Sequence, residues 1–256
     1  MIGPTKKIVY DNTQQHIFTA QDGTLAAAYI PNTPIDDNLI LAELNKVNFT
    51  RVFYISRYNQ ANRTPRLTWA WGRSVLAINN NIHQPIEYRG LEFMAEAMPP
   101  WLESLSQFCR ETAKMNWGFD PGYNSAIIGK YIDGDDQIAF HTDDEVFLTH
   151  HFCANVTIGE PRDFQFKTLN GVQQKQTHEI KLGHKSAFFF FGLEHALPKR
   201  AYGGLRYSIS FRNMATDVGI GNSFYYCRGL AGAIDNELKQ EYELKLKVLQ
   251  AERQNN

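Results

Sequence analysis

The chain has 256 residues, a length that suits one domain or one domain with an appendage, because single cores grow to roughly 250 residues before chains divide. With 43% hydrophobic, 13% aromatic and 21% charged residues, it has enough apolar content to offset the entropy of folding, which excludes a disordered or low-complexity chain. A net charge of -1 excludes a surface that binds polyanions everywhere, so any such function needs a local basic patch.

Met1 to about Thr50 is a short, mixed pattern with Gly23 and Pro31 to Pro34 (PNTP) as turn signals, and is set apart as an N-terminal extension, residues 1–50. Within it, Asp36 to Asn45 is predicted as a helix whose ILAEL segment is amphipathic core material. Residues 51 to 89 carry Arg51, Arg57, Arg63, Arg66, Arg73 and Arg89 against the single acid Glu87, with Tyr54, Tyr58, Trp69, Trp71 and Tyr88 interspersed. This is the required basic patch. Pro99 to about Lys114 (PPWLESLSQFCRETAK) predicts a helix that opens on prolines and turns Leu102, Leu105 and Phe108 to one face, in support of a sheet.

From Tyr123 to Met214 the texture changes to short β-rich runs between polar turns: SAIIGKYI, IAFHTDD, FCANVTIG, DFQFKTL, THEIKL, SAFFFFG and RYSISFR. They leave no room for crossover helices of about a dozen residues, so a mainly antiparallel double sheet, a jelly roll, is expected. The longest apolar run, Ala187 to Phe191, is far below the roughly 18 to 20 residues that span a bilayer; it predicts a strand buried on both faces that positions His195. After Gly229 the tail AIDNELKQEYELKLKVLQAERQNN returns to helical periodicity, giving a C-terminal helical tail over 229–256. Cys109, Cys153 and Cys227 are odd in number and contain no CxxC pair, which points to a reducing compartment. Cytoplasm is the default expectation, with the nucleus open, since no import cluster of basic residues is evident.

The chemistry-bearing feature is His141-Thr142-Asp143 at the end of one run, with His195 following another. Two imidazoles and one carboxylate form the facial triad that holds Fe(II) and leaves positions for co-substrate and oxygen. Residues i and i+2 of a strand share a face, so His141 and Asp143 are expected to reach one ion from one strand. Taken alone, His-x-Asp also arises as a strand-end histidine beside a solvated acid. In RYSISFR, Arg206, Ser208, Ser210 and Arg212 alternate onto one face. A buried guanidinium is costly unless it meets an anion in good geometry, and a dicarboxylate beside an iron would satisfy both arginines; pairing with internal acids, or a solvated face, is the alternative. His150, His151, His178 and His184 are read as structural.

Asn124 to Glu145 (NSAIIGKYIDGDDQIAFHTDDE), His195 and RYSISFR together resemble the AlkB family of Fe(II)/2-oxoglutarate dioxygenases, its DNA- and RNA-repair members in particular. PRLTWAWG (Pro65 to Gly72), YRG (Tyr88 to Gly90) and PPWL (Pro99 to Leu102) look like that family's substrate-recognition region, in the same order. The resemblance spans roughly residues 52 to 214. It implies an α+β fold: a double-stranded β-helix (jelly-roll) core at about 123–214, an N-terminal nucleotide-recognition region at about 51–98 and supporting helices, in one dioxygenase domain over 51–228.

The resemblance further implies that His141, Asp143 and His195 bind Fe(II). Arg206, helped by the Tyr131 hydroxyl, would pair with the distal carboxylate of 2-oxoglutarate, and Arg212 would lie near the carboxylate next to the keto group. Tyr88 would stack on a flipped base, Arg66 would contact the nucleic acid, and Asp144 and Glu145 would face the base or organise its pocket. Two positions depart from the family: Gly129 and Ser208 stand where it usually has Asn, which removes amide groups around the co-substrate.

The implied reaction couples O2 and oxidative decarboxylation of 2-oxoglutarate to hydroxylation of an N-methyl carbon, releasing formaldehyde, succinate and CO2. Bases such as 1-methyladenine or 3-methylcytosine become reachable when exposed or extruded from the stack. The expected partner is methylated DNA or RNA, with no membrane and no protein partner, and the protein is expected as a monomer. An AlkB-like oxygenase of protein or small molecules and a nucleic-acid-binding module with an inactive iron site are the alternatives.

Overall fold

The computed structural model describes residues 7–19, 25–49, 51, 53–55, 61–63, 66–72, 86–88, 91–93, 98–143, 151–167 and 177–213. The first elements are β1 (Ile8–Tyr10), β2 (His16–Thr19), β3 (Leu25–Ile30) and α1 (Asp37–Leu44). There follow β4 (Phe53–Ile55), β5 (Ala61–Arg63), β6 (Leu67–Gly72), β7 (Ile86–Tyr88), β8 (Leu91–Phe93) and α2 (Pro100–Trp117). The rest is strand: β9 (Ser125–Tyr131), β10 (Ile138–His141), β11 (Phe152–Gly159), β12 (Arg162–Lys167), β13 (Thr177–Leu182), β14 (Ser186–Phe191), β15 (Glu194–Leu197) and β16 (Arg206–Arg212).

Local chemistry sets the helix ends. Asp36 caps α1, its carboxylate accepting from the Leu39 amide at 3.0 Å, with Asp37 in the first turn where a negative charge suits the helix dipole. In α2 the missing N–H of Pro100 costs nothing at the first helical position, and the helix stops at Gly118, whose φ of 72° is open to glycine.

The strands form a jelly roll of two facing sheets. The major sheet runs β2-β3-β14-β11-β16-β9-β6 and the minor sheet β1-β13-β12-β15-β10; pairing is antiparallel except for β1 with β13. Two hairpins, β4–β5 and β7–β8, form separate two-stranded sheets.

Alternation in two strands shows why the major sheet is buried on both faces. Tyr207, Ile209 and Phe211 of β16 join the cluster that holds Leu102, Leu105 and Cys109 of α2 and Ile40 and Leu44 of α1. Phe189 of β14 goes to the same side, whereas Phe188 and Phe190 enter the layer between the sheets with Phe164, Phe166 and Ile180. Burial of each such ring contributes about 1.5–3 kcal/mol. The outermost ring, Phe191, is 37% exposed.

One sequence expectation is corrected here. Residues 1–50 are not an appendage to the sheets: β1 edges the minor sheet, β2 and β3 extend the major one, and Ala27, Tyr29, Ile40 and Leu44 are buried in the core. The short strands HIFT and IVY lie at sheet edges with mixed burial, which blurs their alternation. In the basic segment, Trp71 is buried and Trp69 packs against the same core, edge to face with one another and with Trp101 beyond. These two indoles hold β6 to α2 and are not base-stacking surfaces. The expected C-terminal helical tail lies outside the described residues.

Candidate metal and co-substrate site

β10 and β15 are antiparallel neighbours in the minor sheet, with His141 directly opposite His195. Their ring centroids are 4.2 Å apart. β10 ends at His141, so Asp143 does not share the strand as expected; it lies two residues beyond, in non-strand backbone, and its side chain turns back beside the histidines. His151, read from sequence as structural, anchors that turn by donating from Nδ1 to the Asp143 carbonyl at 3.1 Å. Ligand atoms of His141, Asp143 and His195 all lie within 4.8 Å of one another.

Each histidine uses the same local device. Nδ1 of His141 donates to the Ala139 carbonyl at 2.9 Å, and Nδ1 of His195 to the Leu193 carbonyl at 2.8 Å. A carbonyl only accepts, so Nδ1 carries a proton, and in the neutral ring the Nε2 lone pair is then left for a ligand. Burial, and then the neighbouring His141, pull the His195 pKa down to about 3, so this ring stays neutral. Phe164 stacks on the His195 ring at 5.4 Å and Phe190 meets it edge-on at 4.9 Å, which fixes its plane.

Asp143 is 1% exposed. Burial opposes its charge, but the Arg212 guanidinium and His141 hold the carboxyl well below the usual carboxylate range. Arg212 Nη2 is 2.6 Å from Oδ2. Oδ1 is buried, 3.6 Å from His141 Nε2, and has no hydrogen-bond partner among the described residues. An orphaned carboxylate oxygen facing two imidazole lone pairs is a fit for a divalent cation. Arg212 neutralises one side of Asp143, and a metal would take the other.

Arg206 and Tyr131 lie opposite each other in the β16–β9 pairing, and the guanidinium carbon is 5.0 Å from the ring centroid. Arg206 is 1% exposed; Nη2 donates to the Thr157 hydroxyl at 3.0 Å, while Nε and Nη1 have no hydrogen-bond partner among the described residues. Burial lowers its pKa to about 10, still cationic at neutral pH. Such a buried cation, short of an anion, fits a carboxylate of 2-oxoglutarate.

The polar face of β16 continues from Arg206 through Ser208 and Ser210 to Arg212. Asn155, on β11, donates to both serines, at 2.6 Å to Ser208 and 2.8 Å to Ser210. Asn155 thereby holds the two serine hydroxyls that line the cavity. Arg162, fully buried, donates to the carbonyls of Asp133, Asp136 and Pro198 and ties down the loop between β9 and β10. A cavity bordered by His141, His195, Tyr131, Ser208 and Arg212 joins the metal end to the Tyr131 end, and Arg66 and Gly129 also line it.

The two ends of this cavity agree with an independent finding. The profile of the 2OG-Fe(II) oxygenase superfamily matches residues 41–212. The chain belongs to the 2OG-Fe(II) oxygenase superfamily. Its cofactor chemistry is accordingly that of Fe(II), 2-oxoglutarate and O2, with His141, Asp143 and His195 forming the candidate metal site. Among solved structures it is similar to OsALKBH1, at 11% sequence identity and a TM-score of 0.50, over 73% of this chain and 98% of that one, which shows an AlkB-like fold. Comparison with curated proteins gave no match.

The residues expected to touch substrate lie in several parts of the chain. Tyr88 ends β7, in the hairpin with β8. Asp144 and Glu145 lie outside the described residues. Arg66, expected on the nucleic acid, borders the cavity beside Gly129. Arg51, from the same basic segment, pairs with Asp136 at 3.2 Å. Asn155 and Thr157 had one visible signal, their alternation as polar residues in the otherwise apolar FCANVTIG. Arg162 and His151 had none.

Proposed function

We propose that this oxygenase is an oxidative demethylase of N-alkylated bases in DNA or RNA, such as 1-methyladenine and 3-methylcytosine. The supporting observation is where the basic, aromatic segment meets the cavity. β6 is the edge strand of the major sheet, paired with β9, and Arg66 immediately before it borders the cavity. Arg63, at the end of β5, is three residues earlier in the chain, so its Cα lies within about 11 Å of that of Arg66. A hairpin that belongs to neither large sheet thus departs from the cavity rim. The second hairpin carries Tyr88. Arginines bind phosphates and aromatic faces stack bases, so this edge is suited to a nucleotide strand.

In the reaction, bound iron with 2-oxoglutarate supplies the oxidant, and the balance is one N-methyl group, one 2-oxoglutarate and one O2 converted to N–H, formaldehyde, succinate and CO2. The protein's part is to hold Asp143 ionised through Arg212, turn both Nε2 atoms toward one site, and bind the dicarboxylate along β9 and β16. The test is incubation of the Fe(II)-loaded protein with 2-oxoglutarate, O2 and single-stranded DNA or RNA carrying 1-methyladenine or 3-methylcytosine. Loss of one methylene mass per base with matching succinate supports the reading, and the better polymer identifies the substrate. Succinate formation with no change in any methylated oligonucleotide overturns it in favour of a protein or small-molecule substrate.

A further inference from the structure

His141 meets His195 only while the edge strand β10 keeps its place beside β15, and little backbone pairing holds it there. β10 is the outer strand of the minor sheet, with β15 as its neighbour. The ladder sets Ile138 opposite Leu197 and His141 opposite His195, and its register shifts between those two pairs. Pro198 comes next after β15, and a proline has no N–H with which to carry the ladder further. A side chain takes over at that point. Nη2 of Arg162 donates to the Asp136 carbonyl at 3.0 Å and to the Pro198 carbonyl at 2.8 Å, so one nitrogen bridges the approach to β10 and the exit from β15. Nη1 donates to the Asp133 carbonyl at 3.0 Å.

The loop that Arg162 grips is also closed on itself. Asp133 Oδ1 accepts from the amides of Asp135 and Asp136, at 2.9 and 3.3 Å, and Asp136 Oδ2 accepts from the Ile132 amide at 2.8 Å. These bonds shape the loop, whereas Arg162 attaches it to the chain leaving β15. The Arg200 amide attaches it again, at the Gly134 carbonyl, but farther along the chain from His141. Arg162 itself stands where a core ring would fit: it alternates with Phe164 and Phe166 onto the buried face of β12 and is fully buried. Phe164 stacks on the His195 ring, and Phe166 lies opposite His195 in the ladder. A buried guanidinium is costly in such a layer, and three carbonyl acceptors offset that cost at the position from which both histidine strands can be reached.

We propose that Arg162 is a positioning residue of the metal centre: its guanidinium clamps the start of β10 to the end of β15 and so holds His141 opposite His195. It acts through backbone carbonyls alone and hydrogen-bonds neither histidine. The planar fork matters as well as the charge, because three carbonyls from two chain segments are met by two nitrogens of one rigid group. The inference rests on the assignment of His141, Asp143 and His195 as the metal site and not on the nucleic-acid reading.

The test compares the metal-free parent protein with Arg162→Met and Arg162→Lys, by two measurements made where each protein is folded. The first is amide hydrogen exchange in β10, with β11 and β14 of the major sheet as reference strands. Arg162→Met should speed exchange in β10 about tenfold relative to those strands, since the opening is local. The second is titration with Co(II), whose visible spectrum reports its ligands. Affinity should fall about tenfold in Arg162→Met, on the scale of changes to groups that orient metal ligands. Arg162→Lys keeps the charge but presents its donors from one point, so it should fold like the parent and still bind Co(II) about threefold more weakly. If Arg162→Met does not fold, Arg162→Lys decides. Unchanged Co(II) affinity and spectrum in folded Arg162→Met would overturn the proposal whatever that variant's stability, as would β10 amides that exchange in step with the reference strands. Parent-like Co(II) affinity in Arg162→Lys would overturn the clamp. Absence of Co(II) binding by the parent would overturn the metal assignment beneath it, a result distinct from the other two.

Discussion

Arg212 directs both Nε and Nη2 at a single oxygen of Asp143, Oδ2, at 3.2 and 2.6 Å. Oδ1 is thereby left to face His141 and His195. The strand that carries Arg206 and Arg212 thus also orients the carboxylate of the candidate metal site, and β16 links the two halves of the site.

Removing that guanidinium should therefore be costly before any chemistry is considered. In Arg212→Met the buried Asp143 carboxylate loses its partner, and breaking a buried pair costs about 3–5 kcal/mol. Denaturant unfolding of the metal-free protein should show this loss, and Mn(II) should recover part of it by supplying the missing positive charge. A loss below about 1 kcal/mol would mean that Asp143 is held by something other than Arg212.

The metal-free protein should be acid-sensitive. His195 has a folded pKa of about 3 against an ordinary value of 6.5, because it is buried and then because His141 is close. The unfolded chain takes up a proton that the native site refuses, so stability falls as pH drops below about 6.5, by at most about 1.4 kcal/mol per unit, until His195 itself protonates near 3. Asp143, held below its ordinary range, acts in the same direction at lower pH, its stabilising charge being lost as it protonates. Unfolding free energies between about pH 7 and pH 4 should decline less steeply in His195→Asn; an unchanged slope would place the sensitivity elsewhere.

Asn155 should matter to 2-oxoglutarate although it lies on β11. Asn155→Ala removes both donors to Ser208 and Ser210 and frees those hydroxyls to turn away from the cavity. Calorimetry should show 2-oxoglutarate binding weakened by about fivefold to twentyfold, on the scale of one or two hydrogen bonds. Equal affinity in the variant would show that the serines, not the amide, set the polarity of this wall.

For the substrate side, Tyr88→Ala should lower turnover of a methylated oligonucleotide by about tenfold, the worth of one base stack, while Fe(II) and 2-oxoglutarate binding stay as in the parent protein. Undiminished turnover would remove Tyr88 from the base pocket.

What could be read from sequence depended on whether a property is local. The two faces of RYSISFR were visible because alternation is written into seven consecutive residues, and the structure separates them into core and cavity as that pattern requires. His141, Asp143 and His195 were legible as chemistry, yet Asp143 reaches the site from beyond β10, a turn that period-two reasoning does not contain. The positions of Arg66 over Gly129 and of Asn155 beneath two serines depend on the registers of β6 with β9 and of β11 with β16, which join residues 53 to 63 positions apart. No window of sequence carries such a register. For the same reason β1 to β3 looked like an extension: β1 pairs with β13 and β3 with β14, more than a hundred residues away, and β2 joins the sheet through β3.

The most direct test of the site is anaerobic titration of the metal-free protein with Fe(II), then 2-oxoglutarate, following bound iron and the visible absorption that arises when a 2-oxo acid chelates ferrous iron. One iron per chain and an absorption that saturates with one 2-oxoglutarate are expected, both lost in His141→Ala. Iron binding and absorption that survive unchanged in a folded His141→Ala protein would contradict the assignment of His141, Asp143 and His195 as the metal centre.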